Sequence, residues 1–170
     1  MNIYPYFTNV RSFMAYRFST LRMRALRDSL WAKLIGKNAK LKAFPERVQR
    51  ENPNRKLIGI KDIPVEQIVG ALGRRSDFDH RFRPLKNHLR DRWVNTYLTL
   101  ESDGWSPILV HKVGDDYYVE DGHHRVSVAR SLGMAFVQAQ VWEYPSAKKT
   151  KSCLPVRCPE KGSAKAYVVR

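Results

Sequence analysis

Five consecutive residues, Asp121-Gly122-His123-His124-Arg125, combine side chains that could bind an anion or transfer a proton. The residues before them are typical of a strand and those after them have helical spacing, so the motif lies where a strand meets a helix. The backbone N–H groups of a helix's first turn have no intrahelical partner and attract anions, and glycine allows a phosphate to approach closely. We therefore predict that Gly122, His123, His124 and Arg125 bind phosphate.

Two members of this motif could carry chemistry if the protein is an enzyme. An imidazole transfers protons near neutral pH, which makes His124 the catalytic candidate. The Asp121 carboxylate could hold Mg²⁺, activate a hydroxyl or only cap the helix, and the sequence leaves these three roles open. Zinc is not expected, because adjacent histidines seldom face one ion and no further His or Cys follows at ligand spacing.

A second cluster of charged residues occupies positions 74–83, a polar and aperiodic stretch that we predict to be a loop. This loop could close over a bound phosphate, with Arg74 and Arg81 on the anionic oxygens and Asp77 and Asp79 on Mg²⁺. Alternatively, it is a salt-bridged surface loop. Its two aromatic residues could anchor the loop in the core or stack on a base; they are Phe78 and Phe82.

Apolar spacing predicts the elements that position these residues. Strands are expected at 56–61, 107–113, 117–120 and 135–142, and helices at 9–35, 63–69 and 84–102 and from 123 to Gly133. A further short helix is expected to begin near Pro45. The order predicts an α/β (α+β) fold, a small mixed sheet with helices, preceded by a basic helical extension.

Charge divides the chain into three parts. Residues 1–56 carry a net charge of +10, residues 57–144 carry −1 and residues 145–170 carry +6. We therefore expect a basic helical extension, a nearly neutral domain and a basic C-terminal tail. The first helix either docks on the core with its arginines in solvent or lies on a membrane or a nucleic acid.

Basic extensions favour polyanionic partners, because Lys and Arg that neutralise phosphates release counterions without reading sequence. We expect nonspecific nucleic-acid binding through six residues: Arg22, Arg24, Arg27, Lys148, Lys149 and Lys151. An anionic membrane surface would satisfy the same charge, and the C-terminal part could instead be a solubilising tail. A homodimer is compatible with the sequence.

Hydropathy and cysteine content indicate the cellular compartment in which the protein is expected. No stretch approaches the roughly 18 uncharged apolar residues of a membrane span. The first residues lack the layout of a secretory signal, and the chain has only two cysteines, Cys153 and Cys158. We expect a soluble protein of the cytoplasm.

The motif and its surroundings resemble the ParB/sulfiredoxin superfamily. The resemblance lies in residues 117–125, Tyr-Tyr-Val-Glu-Asp-Gly-His-His-Arg, in the strand before them and the helix after them, and in an Ile-Pro-X-X-X-Ile element at 63–68. It covers roughly residues 57–141, about half the chain. Members bind nucleotide phosphates at this helix terminus, which implies a nucleoside di- or triphosphate with Mg²⁺ at residues 122–125.

Differences between this chain and members of the superfamily reduce the number of functions that the resemblance implies. His123 stands where sulfiredoxins carry the catalytic cysteine, so sulfiredoxin chemistry is not expected. Only 26 residues follow Tyr144, too few for the DNA-binding and dimerisation regions of a full partitioning protein. Free-serine kinases share an Asp-Gly-His-His-Arg stretch, which implies that Asp121 serves metal or substrate and that Glu66 or another carboxylate activates the hydroxyl.

The leading hypothesis is a ParB-like nucleotide-binding protein that associates with nucleic acid through its basic extensions. The alternatives are a small-molecule phosphotransferase of the free-serine-kinase type, a ParB-like nuclease, and a binding module without activity. The neutral domain between two basic parts favours the first. The motif slightly favours the phosphotransferase.

Overall fold

The computed structural model of the protein describes residues 9–46, 48 and 55–145. The short helix predicted from Pro45 onward lies largely outside these residues. Lys148, Lys149 and Lys151 also lie outside them, so the part of the predicted nucleic-acid site in the tail stays a prediction.

Six strands of the described residues form one mixed sheet in the order β1-β3-β5-β4-β6-β2. The strands are β1 (Lys42–Ala43), β2 (Lys56–Pro64), β3 (Ile68–Ala71), β4 (Ile108–Val113), β5 (Asp116–Asp121) and β6 (Phe136–Tyr144). Neighbours pair in parallel at β1/β3, β3/β5 and β4/β6 and antiparallel at β4/β5 and β2/β6. The predicted mixed α/β fold is confirmed, and the strands predicted at 107–113 and 117–120 pair as an antiparallel hairpin, β4 and β5.

The two edges of the sheet differ in length. β1 contributes two residues, whereas β2 contributes nine. The pairing of β2 with β6 shifts register between Leu57 and Gly59, which marks a bulge, and the strand ends at Pro64. β2 is therefore a long edge strand with a bulge near its start and a proline at its end.

The helix predicted at 63–69 is wrong. β2 continues through Ile63 to Pro64, a single 3₁₀ turn spans Val65–Gln67, and β3 begins at Ile68. A segment this short cannot offset the cost of helix nucleation, and its β-branched residues suit a sheet. Pairing decides the outcome: Ile63 lies opposite Val137, and Ile68 opposite Tyr117.

Three α-helices of the described chain follow the predicted order: α1 (Val10–Leu34), α2 (Arg90–Ser102) and α3 (His123–Leu132). α2 begins six residues after the predicted start at 84, because Pro84 bridges to Phe78 and a 3₁₀ turn at Asn87–Leu89 comes first. α3 ends as predicted at Gly133, which has a φ of 73°.

Trp93 of α2 lies at the centre of the core between the other two helices. Its side chain is fully buried, its ring meets Phe18 of α1 edge-on at 5.8 Å, and its indole N–H donates to Ser127 of α3 at 2.9 Å. The hydrogen bond satisfies the one polar atom of a side chain that otherwise contributes apolar area. Trp93 therefore connects all three helices.

α1 docks on the core through its first half. Asn9 caps it by accepting from the Ser12 N–H at 2.8 Å, and Phe13, Met14 and Phe18 are buried in the cluster that contains the sheet residues. The docked alternative is therefore confirmed for this half. In the second half of the helix, Leu30 is exposed.

Helix length and hydropathy bear on membrane insertion. Within the described ranges, no helix combines the length and the apolar character needed to cross a bilayer.

Candidate anion-binding site

The motif lies where it was predicted, with β5 ending at Asp121 and α3 beginning at His123. Gly122 is the N-cap, with a φ of 101° that only glycine adopts without strain. A Cβ at this position would come within 2.5 Å of Ile108 Cγ2, so the backbone also lies too close to β4 for any side chain. Glycine therefore permits both the turn and its contact with the sheet.

A small cleft of about 100 Å³ opens at the start of α3. No described side chain caps this helix end, so the N–H groups of its first turn lie at the cleft without a capping acceptor from the described residues. The lining residues come from the loop after β3, from α2 and from the motif: Arg74, Arg92, Thr96, Glu120, Asp121, Gly122, His123, His124 and Arg125. All four predicted phosphate-binding residues of the motif line it together.

His123 and His124 are buried, with 6% of each side chain exposed. His124 has no hydrogen-bond partner on either ring nitrogen among the described residues, and His123 has none on Nε2. Phe78 fixes both rings, stacking on His123 at 6.2 Å and meeting His124 edge-on at 5.4 Å. Buried polar atoms are normally paired, so these nitrogens are available to a water molecule or a ligand.

Burial keeps both imidazoles neutral. Burial, and to a smaller extent the positive charges of Arg92 and Arg74, lower the pKa of His124 from 6.5 to about 4. Burial also lowers the pKa of His123, against an opposing hydrogen bond with the Gly73 backbone. At neutral pH each ring offers one N–H donor and one acceptor nitrogen.

Two arginines stand at the rim of the cleft without acceptors. Neither the Arg74 nor the Arg92 guanidinium makes a hydrogen bond or an ion pair with any described residue, and both side chains are exposed. Arg74 also has a φ of 53°, a left-handed backbone that a non-glycine residue rarely adopts. Such local strain is often found at binding sites.

The Arg125 guanidinium is hydrogen-bonded to acceptors of the protein itself. One guanidinium nitrogen donates to the Asp121 carboxylate at 2.5 Å, and the other donates to the carbonyls of Ser106 and Pro107 at 2.6 and 3.1 Å. Asp121 therefore does not cap α3, and its carboxylate, 66% exposed, pairs with Arg125 instead. Arg125 lines the cleft but anchors the turn before β4.

The loop at 74–83 agrees only in part with the prediction that its charged residues bind phosphate and Mg²⁺. Asp79 is buried and accepts from the backbone N–H groups of Arg81 and Arg83 and from the Arg83 guanidinium, at 2.6 to 3.0 Å. Asp77 pairs with Lys86 at 2.7 Å. Both carboxylates therefore hold the loop together, and the proposed Mg²⁺ role is wrong for Asp79, which has no free oxygen facing solvent.

The predicted Mg²⁺ ligands do not lie together in the structure. No group of three His, Cys, Asp or Glu residues in the described part of the chain could hold a metal ion. Asp77, Asp79 and Asp121 engage different partners and do not converge. The described carboxylates therefore form no metal site by themselves, and a role of Asp77 or Asp121 beside a nucleotide-bound Mg²⁺ stays a prediction.

Other predicted residues lie elsewhere. Arg81 and Glu66 line a separate cavity of about 820 Å³ between α1, the 3₁₀ turn after β2 and the C-terminal half of α3, so neither faces the motif. Phe78 and Phe82 are fully buried and anchor the loop in the core. The alternative prediction, that these two rings stack on a base, is therefore wrong.

Arg92, Thr96 and Glu120 line the cleft but were not predicted. Arg92 and Thr96 are one helical turn apart and flank the apolar stripe that predicted α2. That spacing could have placed them together on one side of the helix. Nothing in the sequence shows that α2 passes in front of the motif, since that follows from the packing of Trp93 on α3.

The predicted nucleic-acid residues of α1 are partly engaged. Arg22 Nε donates to the Leu85 carbonyl at 3.1 Å, and Arg27 pairs with Asp28 at 3.2 Å. Arg24 lies exposed on the outer side of the helix.

No protein-family model matches the chain, and no curated protein matches it. Among solved structures, the chain is similar to sulfiredoxin from Arabidopsis thaliana, at 23% sequence identity and a TM-score of 0.37. The match covers 48% of this chain and 82% of the sulfiredoxin chain.

Proposed function

We propose that the protein binds a nucleoside phosphate, with one phosphoryl group in the cleft at the start of α3. The observation that carries this proposal is the set of unpaired polar groups facing one small space: the first N–H groups of α3 and the buried ring nitrogens of His123 and His124. Leaving buried polar groups unpaired costs about 1–3 kcal/mol each. A phosphoryl group would supply acceptors for the backbone N–H groups and for the single ring N–H that a neutral His124 offers.

The size of the cleft sets how much of a nucleotide enters it. At about 100 Å³ it is well below the roughly 300–1,000 Å³ of a pocket that encloses a whole ligand of nucleotide size. We infer that one phosphoryl group occupies the cleft and that the remainder of the nucleotide lies outside, within reach of Arg74 and Arg92. These two guanidinium groups have no other acceptor among the described residues.

The protonation state of the histidines favours a particular mode of binding. A neutral His124 can donate one hydrogen bond to a phosphate oxygen, and it can accept a proton as the anion arrives and offsets Arg92 and Arg74. Binding of a phosphate dianion would therefore raise the pKa of His124. This part of the proposal gives His124 a proton-accepting role without a metal ion held by the protein.

The test compares nucleotides and variants in one assay. Full-length protein is titrated with ATP, ADP, CTP and GTP, each with Mg²⁺, by calorimetry and thermal shift. Losing a charged hydrogen bond costs about 1.5–3 kcal/mol, so Arg74→Ala and Arg92→Ala should each weaken binding about 10- to 150-fold. Arg24→Ala removes the same charge from an exposed position away from the cleft and should leave affinity unchanged. Equal binding by all variants would refute the site.

A small-molecule phosphotransferase is the second candidate, and the exposed Asp121 carboxylate at the cleft favours it. If phosphoryl transfer occurs, Asp121→Asn should abolish turnover and leave much of the phosphate affinity. Release of phosphate or transfer to serine measures the reaction. Normal turnover by the Asn variant would leave Asp121 as the ion-pair partner of Arg125 alone.

Association with nucleic acid is the remaining part of the proposal, and it rests on the charge of +6 in residues 145–170 and +10 in residues 1–56. Binding should show little sequence preference and should weaken steeply as salt rises. Replacing Lys148, Lys149 and Lys151 with Gln should lower affinity for DNA or RNA and reduce the salt slope. An unchanged slope would remove these lysines from the contact.

A further inference from the structure

The C-terminal half of α1 exposes an unusual amount of apolar side chain. Met23, Leu30, Trp31 and Leu34 are 63%, 62%, 65% and 79% exposed, and Ile35 just after the helix is 50% exposed. The described residues that pack on α1 do so on its other side, through Met14, Phe18 and Ala25. Single exposed apolar residues are ordinary, but a contiguous group marks an interaction surface.

These side chains share one face of the helix. Met23, Leu30 and Leu34 are spaced by seven and four positions and so lie on one side of the helix, with Arg27 between Met23 and Leu30 and with Trp31 beside Leu30 and Leu34. At 100° per residue, this stripe lies about 160° around the helix from the buried Ala25. α1 is therefore apolar on two opposite sides, one facing the core and one facing outward.

Basic residues accompany the outward stripe. The helix carries six Arg and Lys and one acidic residue, Asp28, so its net charge is +5. The Asp28 carboxylate forms ion pairs with Arg83 and Arg27. Cations are thus next to the stripe or at its end, at Arg24, Arg27, Lys33 and Lys37.

We propose that this outer face of α1, from Met23 to Ile35, binds the surface of an anionic lipid bilayer. A bilayer interface supplies both an apolar layer for Leu30, Trp31 and Leu34 and negative charge for the flanking cations. Nucleic acid offers phosphates but nothing that would bury the aliphatic side chains. A second copy of the chain would bring two helices of charge +5 together.

The packing of the first half of α1 makes this docking inexpensive in conformational entropy. Phe13, Met14 and Phe18 hold the helix on the folded domain before any membrane is met. Unlike a peptide that folds on the bilayer, α1 orders no backbone on binding. The docking does not depend on the nucleotide site, because no residue of the outer face lines the cleft.

The experiment uses full-length protein and vesicles of phosphatidylcholine with about a quarter phosphatidylglycerol, scored by co-sedimentation. Leu30→Gln/Leu34→Gln should reduce vesicle binding at least tenfold without lowering the melting temperature, since both side chains are exposed. The matched control is Leu57→Gln/Ile60→Gln, which removes two exposed apolar residues from β2 and should bind like wild type. Arg24→Gln/Lys33→Gln should weaken binding to the anionic vesicles, and vesicles of phosphatidylcholine alone should bind little of any variant.

Three results would overturn the proposal. Undiminished sedimentation of Leu30→Gln/Leu34→Gln with anionic vesicles would show that the stripe does not contact lipid. A wild-type dimer in light scattering that becomes a monomer in this variant, with no vesicle binding by either, would assign the face to a second copy. Loss of binding to a 30-nucleotide DNA by the same variant, with vesicle binding unchanged, would assign it to nucleic acid.

Discussion

Replacement of Gly122 by alanine tests whether the geometry of the motif is built as described. The new Cβ would lie 2.5 and 2.8 Å from two side-chain atoms of Ile108, which is buried in the sheet and has no room to move. Forcing an extra carbon into a packed core costs about 1–3 kcal/mol. The φ of 101° adds about 1–2 kcal/mol for a residue with a side chain. Alanine restricts the unfolded chain and returns about 0.4–1 kcal/mol, so the net loss is about 1–4.6 kcal/mol.

Gly133→Ala is the matched control for this substitution. Gly133 ends the same helix with a φ of 73°, but a Cβ there would meet nothing within 4 Å. Only the backbone term applies, and the expected loss is about 1 kcal/mol. Urea unfolding of both variants at pH 7 measures the difference. If Gly122→Ala is no less stable than Gly133→Ala, the close approach of the motif to Ile108 is refuted.

Three further predictions concern the site and its support. The folded protein holds the pKa of His124 at about 4, whereas an unfolded histidine has a pKa of about 6.5. Between these two pH values the unfolded chain therefore binds one more proton than the folded protein. The free energy of unfolding should fall by up to about 3 kcal/mol as the pH is lowered from 6.5 to 4. Urea unfolding across this range should show a smaller fall for His124→Gln; an equal fall would contradict the assignment. Asp79→Asn should cost about 3–5 kcal/mol, because it leaves the Arg83 guanidinium without its buried partner; a change below about 1 kcal/mol would contradict this role. Arg125→Ala should lower thermal stability as well as nucleotide affinity, and an unchanged melting temperature would show that its bonds to Ser106 and Pro107 contribute nothing.

Local sequence determined the parts of the structure that were predicted correctly. The spacing of Leu89, Trp93 and Tyr97 indicates α2, and the Gly114 turn between apolar runs indicates the β4/β5 hairpin. The change from strand to helix at Gly122 likewise depends on neighbouring residues alone. Each of these features therefore needs no knowledge of the rest of the chain.

The errors arose where long-range packing decides. Ile63 and Ile68 belong to strands because β6 and β5 pair with them, and neither partner is visible from residues 63–69. Asp79 looks like a metal ligand in sequence, yet it folds inward onto backbone N–H groups and Arg83. Similarly, Arg92 reaches the cleft only because Trp93 fixes how α2 packs.

The edge strand β2 has a consequence for self-association. An exposed edge of nine residues could template pairing with another chain, which is a route to aggregation. The bulge between Leu57 and Gly59 breaks the regular spacing of its free N–H and C=O groups, and Pro64 lacks an N–H altogether. Lys61 and Asp62 add exposed charges along the same strand. Extension of the sheet by a second chain across this edge is thus disfavoured.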